Sequence, residues 1–96
     1  MSEPIRITVN GCYEYRIGDR LHREDGPAIE LSTGSKGWYS EGVIHRLDGP
    51  AWEAFNGESF WAIKGKIHSF ETHILKLKEL GYEEIAISLL WRLDSL

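Results

Sequence analysis

The stretch LHREDGPA, Leu21 to Ala28, returns as IHRLDGPA at Ile44 to Ala51, and that recurrence decides the fold. The offset is 23 residues, and it organises far more of the chain than these two segments. It carries Tyr15 to Trp38 to Trp61, Gly42 to Gly65, and Gly11 to Gly34 to Gly57. It also carries His45 to His68, inside a degenerate third copy, KIHSF. A period of about 20–50 residues is the signature of architectures in which one supersecondary unit packs on the next.

Each copy reads as strands separated by turns. Asn10-Gly11, Thr33-Gly34 and Asn56-Gly57 occupy one phase of the repeat. Asn-Gly is the strongest short hairpin signal, because a type I′ turn needs φ > 0 at both central residues. AWEAF and SFWAI flank Asn56-Gly57, and their aromatic residues suit pairing across it. A second turn is expected near Ile17-Gly18-Asp19, Glu41-Gly42 and Lys64-Gly65. The HRxDGPA segment is the third. Gly26 and Gly49 each precede a proline, which favours extended backbone. Pro27 and Pro50 fix φ and give up a donor, which suits the start of a strand. Asp25 and Asp48 are expected to bond nearby backbone amides, and His22 and His45 to brace the loop from the preceding strand. The reading is an antiparallel β-hairpin meander of about three copies over residues 5–69.

This pattern, W-Y-x-x-G-x-x-H-R-x-D-G-P-A, resembles a repeat found in tandem in many phage and large-virus proteins, related in style to MORN repeats and their variants. The match is specific in copies one and two, while copy three keeps Trp61, Gly65 and His68. Tyr15 stands where the pattern usually has Trp, and Leu47 where it usually has Glu. The resemblance implies a single-layer meandering sheet and a viral or mobile-element origin. It brings no general activity with it.

After His68 the period changes. Phe70, Ile74 and Leu77 are spaced i, i+4, i+7, a helical stripe with Ser69 as N-cap and Gly81 as the stop. A second helix is predicted from about Tyr82 to Leu93, giving an α+β domain of residues 1–96 with a helical tail over 70–96. One face of the second helix holds Tyr82, Ile85, Ala86, Leu89 and Leu93, and the other offers Ile87, Leu90 and Trp91. A surface helix normally has one apolar stripe, so this tail is expected either to be sandwiched or to meet another chain, a second copy included.

Composition narrows the function classes. The 96 residues are 42% hydrophobic and 27% charged, which is one soluble domain's worth of chain. A net charge of −4 argues against non-specific nucleic-acid binding. One cysteine, Cys12, has no internal disulfide partner, and no apolar run reaches the length of a membrane span or signal peptide. The cytoplasm is the expected compartment, that of the host cell if the chain is viral.

His22, His45 and His68 recur at one phase and invite a metal reading, but no cysteine or carboxylate completes a zinc spacing, and bracing is the simpler role. Arg23, Asp25, Arg46 and Asp48 are duplicated identically, whereas catalysis separates the roles of similar groups. No enzyme and no cofactor is expected. Among the aromatic residues, Tyr39, Phe55 and Phe60 are the candidates for an exposed patch. Three readings follow. The first is an inhibitor or adaptor of a host protein or complex, acting for instance against a defence system, through Ile87, Leu90 and Trp91. The second is a nucleotide-sequestering protein using exposed aromatics with Arg23 or Arg46. The third is a minor structural or assembly part.

Overall fold

Residues 3–94 are described by the computed structural model, the side chains of Leu93 and Asp94 excepted; Met1, Ser2, Ser95 and Leu96, at the ends of the expected domain, lie outside it. In that span ten strands precede two helices: β1 (Ile5–Val9), β2 (Cys12–Ile17), β3 (Arg20–Leu21), β4 (Ile29–Glu30), β5 (Lys36–Gly37), β6 (Tyr39–Ser40), β7 (Val43–Ile44), β8 (Trp52–Glu53), β9 (Ser59–Ile63), β10 (Lys66–His68), α1 (Phe70–Glu79) and α2 (Glu83–Asp94). The main sheet runs β1-β2-β4-β5-β8-β9-β10. The strand β3 pairs with the second half of β2, and β6 and β7 form a hairpin of their own. Every pairing is antiparallel. The architecture is therefore the α+β hairpin meander with two C-terminal helices that the repeat predicts.

The 23-residue period is written into the register. Glu14 pairs with Ile29 and Gly37 with Trp52, while Ile29 pairs with Gly37 and Trp52 with Phe60. The strand changes partner at the aromatic residue of each complete copy, running unbroken through Tyr15 in β2 but splitting into β5 and β6 at Trp38. Tyr15 and Trp38 donate their N–H to Ala28 and Ala51 carbonyls at 2.7 and 2.8 Å, and their own carbonyls accept from His22 and His45 N–H at 2.9 Å. The strand on one side of the ring thus continues the sheet, and the strand on the other turns back as a hairpin. The HRxDGPA loop joins the two.

The turns depart from the simplest expectation. Asn10-Gly11 has positive φ at both residues, 51° and 79°, as a type I′ turn requires. Thr33 and Asn56 do not. There Gly34 and Gly57 alone are left-handed, and Leu31 and Ala54 donate to the Ser35 and Glu58 carbonyls around longer loops. The other type I′ turns lie at Glu41-Gly42 and Lys64-Gly65, with φ of 50° at both Glu41 and Lys64.

In the tail, Ser69 caps α1 by accepting the Thr72 N–H at 3.2 Å, with Glu71 in the first turn. Gly81, at φ 88°, ends it. Tyr82 N–H bonds Leu77 O at 2.8 Å and Gly81 N–H bonds Lys78 O at 3.2 Å, a Schellman closure. The apolar core sits here, not under the early copies: Ile63, Ile74, Leu77, Ala86 and Leu89 are buried, with Leu47, Trp61, Phe70 and Ile85 packed on them. Tyr82, expected on the inward face of the second helix, is instead exposed and precedes α2; its backbone closes α1. Leu93's expected inward side chain lies outside the described residues.

Candidate functional site

Arginine is the centre of each complete copy. Arg23 lies with Cζ 4.0 Å from the Tyr15 ring centroid, and Arg46 with Cζ 3.9 Å from that of Trp38. Their Nε atoms donate to Asp25 and Asp48 carboxylates at 3.0 and 3.1 Å. Their Nη1 atoms donate to the Pro27 and Pro50 carbonyls at 3.2 and 3.1 Å. On the far side of each guanidinium is glycine: a Cβ built at Gly26 or Gly49 would stand 2.9 or 2.5 Å from the arginine Cζ. Glycine is needed at these two positions for space. The aspartates hold the guanidinium, not the backbone amides that turn chemistry suggests.

The histidines brace, but across the copy boundary. His22 Nδ1 accepts the Glu41 N–H, and His45 Nδ1 accepts the Lys64 N–H, both at 2.9 Å. Each ring thus holds the left-handed residue of the next copy's turn and not its own loop, as the sequence had suggested. The first copy has no preceding histidine, and the left-handed position there is Gly18, φ 62°. Where nothing holds the turn, the chain uses the residue that adopts it without steric cost.

His68 breaks the pattern. Its Nε2 lies 2.7 Å from Nδ1 of His73, whose Nε2 is 2.8 Å from the Leu47 carbonyl. A carbonyl only accepts, so His73 carries its proton on Nε2, and His68 donates to the bare Nδ1. His73 is fully buried. Burial lowers its pKa, which the bond to Leu47 O partly opposes. His68 is lowered by burial and then by His73 and Lys76, and His45 by burial and then by Lys64 and His73. Sequence reasoning passed over His73. It sits one repeat after Pro50, where the motif has already dissolved into helix.

A groove of about 750 Å³ runs between the first and second loops, lined by Arg23, Glu24, Asp25, Trp38, Arg46 and Asp48 among others, with Ile85 of α2 at one end. Its arginines are already committed within their loops, while the Glu24, Asp25 and Asp48 carboxylates are exposed. Among the described residues, no group of three His, Cys, Asp or Glu is placed to hold a metal ion.

The aromatic candidates separate. Phe55 is well exposed, but Tyr39 and Phe60 are half-buried, and Phe60 stacks on Trp52 with centroids 6.4 Å apart. They do not form one exposed platform. The outer face of α2 does stand clear: Ile87, Leu90 and Trp91 are 61%, 37% and 75% exposed, while Ile85, Ala86 and Leu89 of the same helix face the core. No helix among the described residues is long and apolar enough to cross a membrane. No protein-family model matches the chain, and neither does any curated protein or solved structure.

Proposed function

We propose that this is a non-enzymatic binding protein that occludes a partner protein in the cytoplasm through the outer face of α2. The observation that carries the reading is the trio Ile87, Leu90 and Trp91, spaced i, i+3, i+4 on one helix face and left in water. A tryptophan three-quarters exposed beside two aliphatic residues has the makeup of a binding hot spot. The polar groups that would suggest chemistry are occupied in holding turns and loops. The resemblance of the repeat to those of phage and large-virus proteins makes a host protein, for example a defence component, the first partner to seek.

The nucleotide-sequestering alternative loses ground on one point. Arg23 and Arg46 are bracketed by ring, glycine, carboxylate and carbonyl, so a phosphate would have to break those contacts, among exposed carboxylates. The assembly reading rests on no comparable feature of α2.

The test places a photo-cross-linking residue at position 91 and, as a control, at exposed position 78 of α1. The reading expects one protein species to be captured through 91 and not through 78. Its capture should fall at least tenfold with Leu90→Glu, while circular dichroism stays that of the folded chain. Equal capture at both positions, or capture untouched by Leu90→Glu, removes α2 as the binding face.

A further inference from the structure

We propose that two copies of this chain pair through the free edge of β1, antiparallel about a two-fold axis at Ile7. Among the described residues β1 ends the sheet and has a strand on one side only. All five of its residues are exposed, with Ile5 at 69%, Ile7 at 38% and Val9 at 49%. A long, exposed, hydrophobic edge is a template for another strand. The opposite edge is blunted: β10 is three residues long, carries Lys66, and runs straight into α1. One open edge and one closed edge give a dimer that cannot grow into a fibre.

The occupant and its register follow from backbone phase. Val9 pairs with Cys12 across the two-residue Asn10-Gly11 turn, so Val9, Ile7 and Ile5 direct their N–H and C=O groups into β2. Arg6 and Thr8 direct theirs outward. A partner strand must answer those four groups. Centred on Ile7, Arg6 of each copy meets Thr8 of the other and all four groups are satisfied. Ile5 then lies against Val9, Ile7 against Ile7, and no like charges are opposed. Centred on Arg6, two arginines face each other and Pro4 meets Thr8 without an N–H to give. Centred on Thr8, Arg6 meets the Asn10 turn. The pattern I-R-I-T-V therefore fits a second copy of itself in one register. Arg6 is drawn back over the Tyr13 ring, with Cζ 4.2 Å from its centroid, which leaves the edge open.

Pairing of five residues buries less than the ~1,000 Å² of a stable interface, so the dimer is a weak one, with a dissociation constant on the order of 100 µM. It is independent of the α2 reading, and it would duplicate that face at the two far ends of a joined sheet.

Sedimentation equilibrium of the whole chain from 10 to 1,000 µM tests it, with Thr8→Pro and Ile7→Lys beside the wild type. Proline at position 8 removes an outward N–H and leaves the β1–β2 bonds intact. Ile7→Lys sets two ammonium groups together on the axis. The expected result is a monomer–dimer equilibrium in the wild type, weakened at least tenfold in both variants, with unchanged melting temperature at 10 µM. If Thr8→Pro lowers the melting temperature, Ile7→Lys alone decides. A wild type that stays monomeric to 1,000 µM overturns the proposal. So does a dimer untouched by these variants but dissolved by Leu90→Glu, which would move self-association to α2.

Discussion

Substituting Gly49 by alanine tests what the glycine in the repeat motif is for. Its backbone is not left-handed, so alanine is not barred by φ. The new methyl carbon would lie 2.5 Å from Cζ, 2.8 Å from Nη1 and 2.9 Å from Nε of Arg46. The guanidinium cannot retreat directly, because the Trp38 ring holds it from the other side at 3.9 Å. It must leave sideways. That forfeits the cation–π contact, about 0.5–2 kcal/mol. It also forfeits the charged bond to the Pro50 carbonyl, about 1.5 kcal/mol for a side chain that is one-fifth exposed. The bond to the largely exposed Asp48 adds about 0–1 kcal/mol. Alanine returns about 0.4–1 kcal/mol by restricting the unfolded chain. The net loss is about 2 kcal/mol, near 8–16 °C in melting temperature for a domain of this size. Urea unfolding followed by far-ultraviolet circular dichroism measures it. Gly26→Ala, with its contact at 2.9 Å, should cost less. The decisive control repeats Gly49→Ala in an Arg46→Met background, where the change becomes neutral or slightly stabilising. An equal cost in both backgrounds would refute the bracket and return the glycine to the backbone geometry before Pro50.

Two further outcomes follow from the turns and the histidines. Gly18→Ala should destabilise by about 1 kcal/mol, since φ is 62° and no histidine holds that turn, whereas Lys64→Gly should stabilise by about 0.5–1 kcal/mol by relieving a side chain at φ 50°; denaturant midpoints give both signs. His45, His68 and His73 are all held below the ordinary histidine pKa of about 6.5, so their neutral forms are the folded ones and the unfolded chain takes up protons first. That stabilisation is whole above about pH 6.5 and is lost as pH falls towards the folded-state values, so the melting temperature should drop between pH 7.5 and 5.0, and less steeply in His73→Leu.

The repeat made the sheet legible because each copy must satisfy the same local demands, and those demands survive as residue identity. The Arg, Gly, Pro and Ala of HRxDGPA are one packed unit, so the segment is conspicuous in a single sequence. What each residue touches was less legible. His22 acts on Glu41, and His45 on Lys64, both 19 positions away, and no pattern within one copy reveals a bond into the next. Turn geometry departs from local sequence preference for a related reason. Asn56-Gly57 has the better type I′ sequence, yet Lys64-Gly65 adopts that turn, because a histidine from outside the hairpin offsets the cost of a left-handed lysine. At the candidate site, periodicity showed that α2 is apolar around most of its circumference. It could not show that α1 and the last copies cover only one side of it.

The way the repeat ends joins the fold to its proposed use. Arg46 recurs one period later as Ser69, and without a guanidinium the Trp61 ring is free for Phe70 and His73, whose rings lie 5.1 and 4.8 Å from it. The same serine caps α1. A single exchange therefore withdraws the arginine that would have built a third loop and supplies the acceptor that starts a helix. Leu47, where the first copy carries Glu24, then gives the helices an apolar contact on the second copy, and its carbonyl receives His73. These departures from the motif lock the tail onto the last copies and orient α2. Ile85, Ala86 and Leu89 turn inward, and with the helix fixed in that rotation Ile87, Leu90 and Trp91 have nowhere to go but outward. A loosely attached amphipathic helix would roll to hide its tryptophan. One held by Ile85, Ala86 and Leu89 against an α1 that the histidine pair and the Trp61 ring fix in place presents it, which is the preorganisation that the proposed binding face requires.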